Sequence, residues 1–154
     1  MAGLKSRNKG SKWERDLKKL LEDFTGVTWE RVRGSGAFER KGDIYPAYHS
    51  FPFLIEAKHT EDWDLYDIFS GVGPIINDWW PKIKDESYSV ERLPMLICKR
   101  NYKAPILILD SKGAALMFRS VKTPAVSAHR AQDDINAYLL EEVIKPNLGK
   151  KLVK

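Results

Sequence analysis

A chain of 154 residues and 17.7 kDa is long enough to bury a core and short for two domains. With 43% hydrophobic and 31% charged residues it lies outside the disordered, collagen-like and disulfide-rich classes, and its one cysteine, Cys98, excludes an intramolecular disulfide and fits a reducing compartment. The net charge of +5 is uneven: residues 1–41 carry eleven Lys/Arg against six Asp/Glu, 42–93 four against ten, and 94–154 eleven against five. An acidic middle between basic arms suits a site that holds cations inside a rim attractive to a polyanion, although an ordinary solvated surface gives the same counts.

Residues 1–12 are basic without an apolar stretch, and runs such as Ile106–Leu109 and Ala114–Phe118 are far too short to span a bilayer. A cytoplasmic protein without membrane contact is therefore expected, as one domain over 1–154 with flexible basic tails at about 1–9 and 147–154.

In chain order, Ser11 precedes Trp13, Leu17, Leu20, Leu21 and Phe24 at helical spacing, and Glu14 stands where a capping box places its acid; Gly26 ends this helix. Val27 to Arg33 alternates as a half-buried strand until Gly34-Ser35-Gly36. Gly42 to Tyr45 and Phe51 to Lys58 read as a hairpin turning near His49-Ser50. Asp64 to Lys84 is amphipathic but carries Gly71, Gly73, Pro74 and Pro81, which predicts a broken helix. Pro94–Lys99, Pro105–Asp110 and Ala114–Phe118 read as core strands, and Ala131–Lys145 as a final helix stopped by Pro146. The order predicts an α/β sandwich around a mixed sheet.

Residues two apart on a strand share a face, so Glu56 and Lys58 become neighbours while Ala57 turns to the opposite layer. With Asp43 beside them across the hairpin, two carboxylates and the Ala57 backbone carbonyl form an oxygen set for Mg²⁺, with Glu14 reaching the ion through water. Mg²⁺ keeps several waters, so one of them is the expected nucleophile, with Lys58 orienting or deprotonating it. An isolated Glu-x-Lys pair is usually a surface ion pair, but here it ends a core strand and Asp43 follows a glycine-rich loop.

The arrangement of Asp43 with Glu56-Ala57-Lys58, thirteen residues on, and an acidic residue on the preceding helix resembles the PD-(D/E)XK nuclease superfamily. More closely, Asn8 to Leu21, with its basic, glycine, small, Glu-Arg-acid-Leu pattern, is similar to the opening helix of archaeal-type Holliday junction resolvases. The likeness continues in order through Arg31 to Gly36, Gly42-Asp43-Ile44 and Leu54 to Lys58. It covers about the first two-fifths of the chain by motif, and a phage-encoded member would fit the divergence. The resemblance implies a restriction-endonuclease-like three-layer core, with Glu14, Asp43, Glu56 and Lys58 at catalytic positions and Ser35 as the serine of the glycine loop. That loop, Gly34 to Gly42, is longer here and carries Phe38, Glu39, Arg40 and Lys41. The implied activity is Mg²⁺-dependent cutting of four-way DNA junctions by paired symmetric nicks, with Mn²⁺ able to substitute, in a homodimer.

Expected phosphate contacts are Lys5, Arg7, Lys9, Lys12, Arg31, Arg33, Arg40 and Lys41, Arg31 and Arg33 sharing one strand face. Trp79, Trp80, Ile75, Ile76 and Phe69 exceed what one short amphipathic stripe needs; core packing is the better reading of most of them and a dimer contact the other. His49, His59 and His129 are scattered, which speaks against a zinc cluster, and the acidic run Glu61, Asp62, Asp64 reads best as helix capping. No Gly-Lys-Ser/Thr element follows Gly34-Ser35-Gly36, so no nucleotide cofactor is expected. The alternatives are another nuclease of the superfamily, restriction-like or repair, and a non-catalytic DNA-architectural module.

Overall fold

The structure, a computed structural model, describes residues 2–32 and 42–147. The first element is a long helix, α1 (Ala2–Thr25). Trp13, Leu17, Leu21 and Phe24 recur on one face of it and are buried. The helix continues upstream of Ser11, so the expected cap and capping box are not formed, and Glu14 lies mid-helix with its carboxylate free for another partner. Gly26, at φ +73°, ends the helix, and the Thr25 hydroxyl accepts the Trp29 indole N–H at 2.8 Å, fixing the entry of the chain into the sheet.

Seven strands form one mixed sheet among the described residues: β1 (Trp29–Arg31), β2 (Ile44–Pro46), β3 (Phe53–His59), β4 (Leu93–Lys99), β5 (Ile106–Leu109), β6 (Ala128–Arg130) and β7 (Ile135–Leu139), in the order β1-β2-β3-β4-β5-β7-β6. Only β3 and β4 pair in parallel, in a register that sets Glu56 against Leu96 and Lys58 against Cys98. A parallel pair needs a crossover. It is supplied by α2 (Tyr66–Ser70), a π-helical turn (Ile75–Trp79) and α3 (Trp80–Ser89), the broken helix that the glycines and prolines predicted. Pro81 has no amide hydrogen to continue an α-helical ladder, and the Trp80 N–H bonds instead to the Ile75 carbonyl five residues back.

Two of the predicted elements differ. Ala114–Phe118 is not a strand but lies in α4 (Ser111–Ser120), because the Asp110 carboxylate accepts the Gly113 N–H at 2.7 Å and starts a helix whose Gly113 and Met117, four apart, face the core. The expected helix over 131–145 is strand β7 followed by the short α5 (Leu140–Ile144), since Asp134 turns at φ +52° and Ile135–Leu139 pairs with both β5 and β6. Tertiary pairing overrides the local spacing.

The sheet separates two cores. On one face α1, α4 and α5 cover Phe53, Ile55, Ile97 and Leu107; on the other Ile68, Ile75, Trp79, Trp80 and Ile83 cover Leu54, Leu96, Cys98 and Ile108. The result is the α/β sandwich around a mixed sheet that the chain order predicts, in the three layers that the resemblance implies. Ile75, Ile76, Trp79 and Trp80 are therefore core residues, as the better of the two readings had it, while Phe69 is 61% exposed. Cys98 is a buried free thiol whose pKa is raised by burial. Among the described residues no helix is long and apolar enough to cross a membrane.

Candidate active site

Glu56 and Lys58 lie on the β3 face covered by the π-helical turn and α3, and Ala57 packs into the opposite core. Lys58 Nζ stands 3.2 Å from Glu56 Oε1, both side chains about a quarter to a third exposed. The ammonium also sits over the Trp79 ring, 5.8 Å from its centroid.

Asp43 reaches this pair from the residue just before β2. Its N–H donates to the Ile55 carbonyl at 2.8 Å, its carbonyl accepts from Val32 at 2.9 Å, and its Oδ2 accepts the Ala57 N–H at 2.8 Å. The approach depends on Gly42, at φ +86°, where a Cβ would lie 2.9 Å from the Ile55 carbonyl. β2 and β3 register only at Ile44 and Ile55, so β3 runs on past its partner and its edge beyond Ile55 faces the Asp43 carboxylate. A strand residue presents its N–H and C=O to the same edge, which aims the Ala57 carbonyl to the side from which Asp43 approaches.

Glu14 enters from α1. Arg31 on β1 clamps it, with Nε and Nη2 donating to Glu14 Oε2 at 3.0 and 2.8 Å. The Glu14 charge still acts on Asp43, whose carboxyl is pushed up to about 7 by burial first, then by Glu56, with Glu14 adding to the rise and the Ala57 amide and Lys58 opposing it. Burial also raises the Glu56 carboxyl, against the pull of Lys58.

Glu14, Asp43, Glu56 and Lys58 thus come together as the sequence anticipated. Two desolvated carboxylates and a main-chain oxygen are hard donors, and their mutual repulsion is the kind of field that a divalent cation relieves. Among the described residues no group of three or more His, Cys, Asp or Glu side chains is arranged to hold a metal, so a cation here would depend on the main-chain oxygen and water to fill its shell.

The expected DNA-contacting residues are distributed differently. Arg31 is committed to Glu14, Lys9 donates to Glu61 Oε1 at 2.7 Å, Lys12 pairs with Asp16 at 3.0 Å, and Arg7 is exposed. Ser35, Arg33, Arg40, Lys41 and the Lys5 side chain lie outside the described residues. Glu61 and Asp64 do not simply cap α2. Glu61 also accepts the Asn101 N–H at 2.7 Å, and Asp64 pairs with Arg100 at 2.9 Å while capping the Tyr66 N–H. Sequence reasoning passed over Asp78, Lys82 and Glu86. They line a cavity of about 70 Å³ with Glu56, Lys58 and Trp79, and their spacing of four along the chain is the signal that places them on one helical face.

The chain has three likenesses among known proteins. The chain matches the family described as "Phage putative PDDEXK endonuclease" over residues 5–144. It is 33% identical over 114 residues to Protein D14 of Escherichia phage T5, covering 69% of this chain and 71% of that protein. Its fold overlaps loosely with that of Hjc, a Holliday junction resolvase of Archaeoglobus fulgidus, at 13% identity and a TM-score of 0.41, over 87% of this chain and 91% of the other.

Proposed function

The chain belongs to the phage PD-(D/E)XK endonuclease family, and from that premise we propose that it is a Mg²⁺-dependent endonuclease that resolves four-way DNA junctions by paired nicks, acting as a homodimer in the cytoplasm. Nucleases of this superfamily use divalent metal ions on nucleic acid substrates. The observation that carries the reading is the convergence at one point of β3: Asp43 Oδ2 on the Ala57 amide at 2.8 Å and Lys58 Nζ on Glu56 at 3.2 Å.

Asp43, Glu56 and the Ala57 carbonyl would hold the cation, Glu14 contacting it through water. When bound, the ion supplies charge neutralisation at the scissile phosphate and a nucleophile of lowered pKa. Lys58, packed on Trp79 and paired with Glu56, keeps an ammonium beside the site, placed to orient the attacking water or to stabilise charge on the phosphate. Arg31 holds Glu14 by two hydrogen bonds to one oxygen, and the Glu14 charge acts on Asp43.

Junction selectivity is supported by the four ordered sequence blocks shared with archaeal-type resolvases. A two-fold dimer would present two such sites to a two-fold substrate. The test is cleavage of a labelled four-way junction, the matching linear duplex and a flap, each in Mg²⁺ and in EDTA. Paired nicks in the junction alone support resolution; equal cutting of all three substrates makes the protein a general nuclease of the superfamily, and binding without cutting makes it an architectural module.

A further inference from the structure

Among the described residues the two most exposed large apolar side chains are aromatic, Tyr102 at full exposure and Tyr48 at 86%, with Tyr66 next at 70%. The first two occupy opposite ends of the sheet. Tyr48 lies in the turn between β2 and β3, at the start of β3, whereas Tyr102 lies in the turn between β4 and β5, beyond the C-terminal end of β3. Lys58 registers with Cys98, four residues before Tyr102, so the chain holds Tyr102 within roughly 20 Å of Lys58.

The turn that carries Tyr102 is braced at several points. Asn101 donates its N–H to Glu61 at 2.7 Å and its side chain meets His59 Nε2 at 3.0 Å. Lys103 N–H bonds to the Arg100 carbonyl at 3.3 Å, Lys99 Nζ donates to the Lys103 carbonyl at 3.2 Å, and Arg100 is tied to Asp64. His59 and Glu61 directly follow the strand that bears Glu56 and Lys58, so the turn and the catalytic strand are locked into one unit.

Within this frame Tyr102 adopts φ +59°, a conformation in which glycine or asparagine would be unstrained and a bulky side chain is costly. The surrounding bonds over-determine that backbone and point an aromatic ring fully into solvent. Its neighbours Lys99, Arg100 and Lys103 are basic, and Lys9 is joined to the same network through Glu61. An exposed aromatic on a braced backbone, next to the basic side chains of Lys99 and Lys103, is the chemistry that receives an unstacked base while its phosphate meets an ammonium group.

We propose that Tyr102 is a stacking platform for an unpaired or branch-point base of the DNA substrate, giving the proposed endonuclease preference for distorted over fully paired DNA. This rests on the nuclease reading above. At about 3.4 Å per nucleotide along a strand, a base on Tyr102 would lie about six nucleotides or fewer from the phosphate at the Lys58 corner.

The experiment measures binding in EDTA, by fluorescence anisotropy, of a junction carrying unpaired bases at its centre and of a fully paired duplex. The proteins are the wild type, Tyr102→Ala, Tyr102→Phe and Tyr48→Ala, with circular dichroism as a check on folding. Tyr102→Ala is expected to weaken junction binding about tenfold and leave duplex binding unchanged, while Tyr102→Phe and Tyr48→Ala match the wild type. Equal binding by Tyr102→Ala, or an equal loss on both DNAs or in Tyr48→Ala, overturns the platform. Wild-type cutting in Mg²⁺ is scored in parallel: cutting with no Tyr102 effect refutes the platform alone, and absence of any DNA binding refutes the nuclease reading and the platform together.

Discussion

The Asp43 carboxylate and the Ala57 amide meet at 2.8 Å, a bond between the residue that opens one strand and the main chain between the two charged residues of the next. It holds a carboxylate against another of like charge at a partly buried edge. In the absence of metal that costs stability whenever both are ionised.

A pH dependence follows. The Asp43 carboxyl rises from 3.8 to about 7 on folding, so the folded state binds the proton more tightly, and the stability this contributes is present below pH 4 and lost as pH rises to about 7. Thermal melts of the metal-free protein should show this decline between pH 5 and pH 8. Asp43→Asn, which can still accept the Ala57 N–H, should flatten it and melt roughly 5 °C higher than the wild type at pH 8. Identical pH slopes for the two proteins would remove Asp43 as the cause.

Gly42 makes the approach of Asp43 possible. Gly42→Ala places a Cβ 2.9 Å from the Ile55 carbonyl at φ +86°, where both the contact and the backbone conformation resist it. A loss of about 1–3 kcal/mol in urea unfolding is expected, together with a fall in cutting rate at temperatures where the variant remains folded. Unchanged stability and rate would mean that the β2 entry is freer than the structure shows.

Glu14 and Arg31 form a partly buried pair at 2.8 Å between helix α1 and edge strand β1. A double-mutant cycle of Glu14→Gln and Arg31→Ala, followed by urea melts, should give a coupling energy of about 1 kcal/mol, each single change leaving a charge or donor without its partner. Additive effects would show the pair to be incidental.

Trp79 serves packing and the site together, being 8% exposed in the core behind α3 and lying under the Lys58 ammonium. Trp79→Leu should cost about 2–4 kcal/mol and slow cutting, while Trp79→Phe, which keeps a ring face, should retain most of the rate at a smaller cost in stability. Equal rates for the Leu and Phe variants, both folded, would separate Lys58 function from the ring.

Much of this was legible in the sequence where period and punctuation agree. Strands β1 to β5 alternate or run apolar between glycine and proline signals, and Pro74 and Pro81 marked the broken crossover. The Glu56-Lys58 corner followed from period two, and Asp43 from the hairpin. α4 was missed because a short alanine-rich run fits either period, and its telling feature was the cap three residues before Gly113. β7 was missed because Ile135, Leu139, Leu140 and Val143 satisfy helical spacing, while strand pairing on both sides decides their conformation. Arg31 looked like a phosphate contact because its partner, Glu14, comes beside it only through tertiary packing. Lys82 and Glu86 were not singled out because the break before α3 hides which face of that helix looks inward.

The most direct test of the account compares wild type with Asp43→Asn on a labelled four-way junction, scoring nicking in Mg²⁺ and binding in EDTA. The account predicts Mg²⁺-dependent nicking by the wild type, and binding at wild-type affinity with nicking reduced at least about a thousandfold in the variant, since the substitution removes a metal-binding charge and leaves the basic surface intact. Nicking by Asp43→Asn at the wild-type rate would contradict it.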